Sequence, residues 1–188
     1  MSRPFTLVVG GARGGKSRFA QELAEKTGES VLFVATAEAG DEEMRRRIEK
    51  HRSSRPASWR TLEATSGLAD HIRKESNGEN VVLIDCITLL VNNIIGESGR
   101  EGEQIEEEHV EGKIIKEINE LIDYIDVSDA RFVIVSNEVG LGLVPVSHLG
   151  RFYRDVLGLA NQLLAHHADE VYLMVCGLPV PLKTTGQG

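Results

Sequence analysis

Very little in this 188-residue chain points to an extracellular, membrane or nucleic-acid setting. It has two cysteines, Cys86 and Cys176, with no CxxC or CxxH spacing, which argues against both a disulfide-stapled scaffold and a zinc site. Each closes an apolar run, so both are expected as buried free thiols. The apolar runs are strand-sized, none long enough to span a bilayer, and the first residues lack the basic-then-apolar pattern of a signal peptide. A cytoplasmic location is expected. Clustered positive charge is also missing. With 29 acids against 21 Lys and Arg, the net charge of −8 argues against a nucleic-acid footprint, which needs basic residues along the phosphates. The one dense basic stretch, RRRIEKHRSSR, is local and lies beside acids.

What is present is the composition of a globular domain, 41% apolar and 27% charged, at a length that suits one hydrophobic core spanning 1–188. β-Branched apolar runs recur at 5–9, 31–35, 81–84, 132–135 and 171–175, each followed by a turn signal. Between them lie stretches of helical period at 16–26, 41–51, 66–75, 86–95, 104–125 and 147–167. The alternation predicts an α/β fold: three layers, αβα, around a mostly parallel sheet. PVPLK adds a short carboxyl-terminal edge strand, where proline is tolerated. The Gly- and acid-rich segment 96–113 reads as a solvated loop running into an exposed helix start.

GGARGGKS, residues 10–17, carries the first chemistry. Gly10, Gly15, Lys16 and Ser17 fit GxxxxGK(S/T): glycines turn backbone N–H groups toward phosphate oxygens, the lysine reaches the outer phosphates, and the serine hydroxyl ligates Mg²⁺. A strand leads in and a helix leads out, which sets the helix amino end at the anion. The metal also needs an acid at the end of a nearby buried strand. Asp85, closing VVLID, fits that position, and would equally cap the helix that follows. The phosphates therefore belong to a nucleoside triphosphate. A GTPase base-recognition signature (N/T)KxD is absent, and a small-molecule kinase or nucleotidyltransferase fits this length better than a mechanical ATPase.

His51 falls at the end of the 41–51 helix, ahead of Pro56. A histidine there is commonly a surface or dipole partner. As a neutral imidazole it could instead attack phosphorus and form a covalent intermediate, with Arg52 and Arg55 steadying the phosphates. His148, His166 and His167 read as surface or interface residues, since adjacent histidines on a helix point about 100° apart. Trp59 reads either as a core anchor or as a base-stacking ring. Asn161 and Gln162 interrupt the apolar face of Leu159, Ala160, Leu163 and Leu164, as a subunit contact or acceptor site would.

The runs VVGGARGGKS, ATAEAGDEEMRRRIEKHRSSRPASWRTLE, LIDCITLLVNN, VSNEVGLGLVP and RFYRDVLGLANQLLAHHADEVYLMVCGLP resemble the bifunctional adenosylcobinamide kinase/adenosylcobinamide-phosphate guanylyltransferase family of cobalamin biosynthesis. The likeness extends from the first strand to about Lys183. It implies a P-loop enzyme that phosphorylates the aminopropanol hydroxyl of adenosylcobinamide, using ATP or GTP. The enzyme then transfers GMP from GTP to adenosylcobinamide phosphate through a histidine-bound GMP, releasing pyrophosphate. It implies His51 as the guanylylated residue and Lys16 as catalytic. Nucleotide contacts fall on Gly10, Gly11, Ala12, Arg13, Gly14, Gly15, Lys16 and Ser17, then on Ala35, Thr36, Ala37, Arg52, Ser53, Ser54, Arg55, Glu63 and Asp85, with Ser17 and Asp85 toward Mg²⁺. A homotrimer is implied as well.

Three positions depart from the family pattern: Lys50 stands where some members carry a second histidine, Gly14 where others carry serine, and Asp85 where others carry glutamate. None removes a group that the reaction requires. From its position after the fourth strand, Glu138 is expected as a further acid near the metal or acceptor. A kinase that has lost GMP transfer, and a nucleotide-switch module in which His51 is a surface residue, are the competing expectations.

Overall fold

Runs of Val, Ile, Leu and Phe too short for a membrane can be buried on both faces only in the middle of a sheet. Four of the five runs lie there in the computed structural model, which describes residues 4–37, 42, 49, 52, 55–99 and 106–184, while the fifth, 171–175, is only partly buried. The strands are β1 (Phe5–Gly10), β2 (Val31–Ala35), β3 (Arg60–Glu63), β4 (Val81–Asp85), β5 (Arg131–Val135), β6 (Glu170–Val175) and β7 (Leu178–Lys183). They form one sheet in the order β3-β2-β4-β5-β1-β6-β7, parallel except for the antiparallel β6–β7 pair.

The helices are α1 (Lys16–Glu25), α2 (Leu68–Glu75), α3 (Ile87–Gly99), α4 (Glu107–Val127) and α5 (His148–His167). The stretch expected as helix over 41–51 lies outside the described residues except for positions 42 and 49, both helical. Strand alternation sorts the core into two. Leu7, Val34, Ile84 and Ile134 face α2 to α5, while Val8, Phe33, Leu83 and Val133 face Ala20 and Ala24 of α1. Helices thus cover both faces of the sheet, giving the three layers expected. Each fully buried Leu, Ile or Val contributes about 1.5–3 kcal/mol of transfer free energy. Glu117 of α4 ties the larger layer together by accepting from the Gly67 and Leu68 N–H groups at 2.9 and 2.8 Å, where α2 has no side-chain cap of its own.

Strand β3 is absent from the sequence reading. Its four residues, RTLE, hold one apolar side chain, because an edge strand with exposed flanks needs no continuous apolar run. The opposite edge, β7, carries Pro179 and Pro181 paired with Met174 and Tyr172. The expectation of buried thiols fails for Cys176. Cys176 and Gly177 are the two central residues of the β6–β7 hairpin, with φ of 54° and 80°, and in this turn the thiol is exposed. Cys86 is half-buried, and both thiols are free.

Candidate active site

The carboxyl ends of the parallel strands meet on one edge of the sheet. Register aligns Ala35 with Asp85 and Asp85 with Val135, while Val8 pairs with Val135 and leads into the glycine loop. Ligands of open α/β sheets bind at this edge. Asp85 is one strand further from the loop than a direct neighbour would be, since β5 lies between β1 and β4.

Close packing dictates the glycines. A Cβ on Gly10, whose φ is 152°, would lie 2.6 Å from the Met174 carbonyl oxygen on β6. Gly15, φ 91°, precedes α1 without any side-chain cap, and a Cβ there would lie 3.1 Å from the Gly177 Cα. The hairpin turn backs the loop directly: Gly177 N–H donates to Gly14 carbonyl at 3.1 Å, and Gly14 N–H donates to Gly11 carbonyl at 3.2 Å. At Gly14 a Cβ would meet Gly11 carbonyl at 3.0 Å. The Lys16 ammonium donates to that same carbonyl at 2.7 Å.

Ala12, Arg13, Gly14, Gly15, Lys16 and Ser17 line a cavity of about 460 Å³ together with Ala35, Ala37, Arg55 and Asp85. Gly10 and Gly11 are not among its lining residues. Burial pushes the Lys16 ammonium below its usual pKa, against the pull of Cys86 and Asp85. The Arg55 guanidinium carbon stacks 3.4 Å from the centre of the Phe33 ring, and Nη1 donates to the Thr61 hydroxyl at 3.5 Å, whereas buried Nε has no partner. Burial lowers its pKa too, opposed first by Asp85. Ser17 and Asp85 supply hydroxyl and carboxylate oxygens, the hard donors that a magnesium ion takes alongside phosphate and water. Among the described residues no cluster of three His, Cys, Asp or Glu side chains forms an all-protein metal cage.

Other expected residues fall elsewhere. Thr36 is fully buried and outside the cavity lining, its hydroxyl bonded to the backbone of Cys86. Glu63, exposed at the end of β3 beside Ala35, acts electrostatically on Arg55. Arg52 is exposed and away from the lining. His51, Ser53 and Ser54 lie outside the described residues. Glu138 does not join the lining acids: its carboxylate turns back to accept from Gly140 N–H at 2.5 Å, closing its own loop. Trp59 packs against the smaller core rather than lining the cavity.

Sequence reading passes over six residues that do line it, among them Arg18 at the start of α1 and Val135 at the end of β5. Phe33, Cys86 and Leu89 are indistinguishable in sequence from core, and Asn137 precedes the more conspicuous Glu138. Desolvation, then the neighbouring Asp85 charge, pushes the Cys86 thiol up to about 11, which leaves it protonated and inert as a nucleophile near neutral pH.

In fold, the chain is similar to the crystal structure of the RadB recombinase, with a TM-score of 0.50 at 14% identity over 90% of this chain and 73% of that one. It is 41% identical to the bifunctional adenosylcobalamin biosynthesis protein CobP of Pseudomonas aeruginosa, over 94% of this chain and 96% of that protein. The bifunctional adenosylcobalamin biosynthesis protein CobU of Escherichia coli is 42% identical over 94% of this chain and 98% of its own length. That of Salmonella typhimurium matches with the same identity and coverage. Residues 6–182 match the profile of the cobinamide kinase/cobinamide phosphate guanyltransferase family, and the chain belongs to that family.

Proposed function

We propose that this chain phosphorylates the side-chain hydroxyl of adenosylcobinamide and then transfers GMP from GTP to the resulting phosphate, giving adenosylcobinamide-GDP and pyrophosphate. The observation that carries this reading is the convergence of Lys16, Ser17, Arg55 and Asp85 on one cavity, in a chain of this family. In the first step the glycine-loop N–H groups and Lys16 hold the outer phosphates of ATP or GTP, while Arg55 supplies a second positive charge. The acceptor oxygen forms its bond to the terminal phosphorus as the bond to the bridging oxygen breaks. Ser17 and Asp85 would hold Mg²⁺, which neutralises charge on the phosphates when bound.

In the second step His51 is the nucleophile. Its imidazole nitrogen bonds to the α-phosphorus of GTP and pyrophosphate leaves. An oxygen of adenosylcobinamide phosphate then takes that phosphorus, and the P–N bond breaks. Arg52, Ser53, Ser54 and Arg55 follow the nucleophile closely in sequence and suit the role of steadying the phosphates. Expected partners are thus adenosylcobinamide, its phosphate, ATP and GTP, in the cytoplasm. No described helix is long and apolar enough to cross a membrane. A homotrimer is the proposed assembly, and Leu143 and Val146, 96% and 98% exposed, are apolar surface that such an assembly would bury.

The test is the product profile with adenosylcobinamide, GTP and Mg²⁺. Phosphate ester and GDP ester should both form, with pyrophosphate. Lys16→Ala should form neither, because the charge it neutralises grows in the transition state. Phosphate ester alone would leave a kinase; neither product from the wild type would leave a nucleotide-binding module.

A further inference from the structure

The segment leaving β5 is held from every side. Ser136 N–H donates to the Val8 carbonyl at 3.0 Å and Glu138 N–H to the Gly10 carbonyl at 2.9 Å, so both neighbours of Asn137 are bonded to β1. Asn137 itself is tied to two helices. Its N–H donates to the Thr88 hydroxyl of α3 at 2.7 Å, and its carbonyl accepts from the Asn161 carboxamide of α5 at 3.0 Å. Four backbone and side-chain groups thus fix one residue that lines the nucleotide cavity between Asp85 and the glycine loop.

Asn161 is unusual for its place. It is 8% exposed, stands among buried Val156, Leu157, Ala160 and Leu164, and its Oδ1 has no partner. A buried carboxamide with one acceptor unsatisfied destabilises a core that an apolar residue would fill without loss. What that carboxamide does provide is a fixed backbone at Asn137. The Asn137 carboxamide, in turn, bonds to no described residue. Two free donors therefore stand at the cavity wall on an immobilised backbone, the arrangement that stabilises charge with little reorganisation.

We propose that Asn137 is a catalytic residue whose side-chain NH₂ donates to the terminal phosphate of the bound nucleoside triphosphate as that group passes to the acceptor, and that Asn161 is a positioning residue acting through it. The inference rests on the kinase reading above. Asn137 gains and loses no proton; it contributes a hydrogen bond that tightens as negative charge spreads over the equatorial oxygens. Placement separates it from Glu138: Asn137 is among the residues that line the cavity and Glu138 is not.

The experiment measures kinase kcat and nucleotide KM for the wild type, Asn137→Ala, Asn137→Asp, Asn161→Ala and the double alanine variant, with thermal melting of each. Asn137→Ala should lower kcat about a hundredfold with KM changed only a few-fold. Asn137→Asp should be more impaired at pH 8 and recover partly toward pH 5, as the added carboxylate takes up a proton and stops repelling the phosphate. Asn161→Ala should lower kcat about tenfold, yet cause no further loss in the Asn137→Ala background, because it works only through that carboxamide. Should Asn161→Ala melt below the assay temperature, the two Asn137 variants decide alone. A raised KM with unchanged kcat in Asn137→Ala, or wild-type values for both, overturns the proposal. Wild-type protein that phosphorylates nothing overturns the kinase reading instead.

Discussion

The Thr36 hydroxyl bonds to both backbone groups of Cys86, accepting from its N–H at 2.8 Å and donating to its carbonyl at 2.7 Å. Thr36 follows β2 and Cys86 follows β4, so one side chain locks together the ends of two adjacent strands. Asp85 lies directly before this lock. The Thr36 carbonyl accepts from the Asn93 carboxamide at 2.8 Å, which brings α3 into the same knot.

Thr36→Val keeps the shape and removes the hydroxyl, leaving both Cys86 backbone groups without that partner. Stability should fall by about 1–3 kcal/mol in urea unfolding, and kinase turnover should fall with it as Asp85 loses its fixed backbone. Thr36→Ser should retain most of both. Equal stability of the valine variant and the wild type would show that the lock carries no free energy.

Glu79 lets the edge strand be tested by pH. Its carboxyl is buried, which by itself raises the pKa; bonds from its own backbone N–H, the Arg60 guanidinium, the Asn77 N–H at 2.8 Å and the Ser76 hydroxyl at 2.9 Å outweigh burial and leave it below the usual value. A depressed carboxyl pKa stabilises the fold fully above the unfolded value of about 4.3, and the gain disappears as pH falls through the lower folded value. Unfolding free energy should therefore drop below about pH 4. Glu79→Gln should destabilise by about 1–2 kcal/mol at pH 7 and flatten that slope, the figure being modest because Arg60 is 43% exposed. An unchanged slope in the variant would assign the acid sensitivity to other carboxyls.

The strands buried in the middle of the sheet were legible because burial on both faces leaves one kind of residue, the β-branched or large apolar one. Strand β3 was not, because RTLE needs only a partner in β2 and the bond from Arg60 to Glu79 to sit at the edge. The glycine loop and Asp85 were legible for a different reason: phosphate and metal chemistry restrict residue type at fixed spacing. Asn137 carries no such restriction. Its position depends on β5 lying between β1 and β4, which is a property of strand order and not of neighbouring residues. Thr36 illustrates the converse, a polar residue at the right end of a strand whose hydroxyl is spent on backbone.

Asp85→Asn preserves shape and deletes the charge proposed to hold magnesium. The Mg²⁺ concentration for half-maximal kinase activity should rise by about tenfold or more, with the melting temperature close to that of the wild type. A variant with the same Mg²⁺ dependence would reduce Asp85 to a role in capping α3 or pairing with Lys16 and Arg55, whose pKa values it raises.

His51→Ala should separate the two activities. The kinase step passes the terminal phosphoryl group straight to a hydroxyl and needs no protein-bound intermediate, so adenosylcobinamide phosphate should still accumulate. On the proposed mechanism GMP transfer needs the imidazole: with α-labelled GTP the wild type should retain label on protein, and His51→Ala should retain none. The wild-type adduct should be released by acid and survive base, as a P–N bond does and an acyl phosphate does not. Removal of pyrophosphate should favour the adduct, because pyrophosphate is the leaving group whose return reverses the step. Equal labelling of variant and wild type would place the nucleophile on another residue, while loss of both activities in a folded His51→Ala protein would mean that His51 serves the shared nucleotide site and not the second step alone.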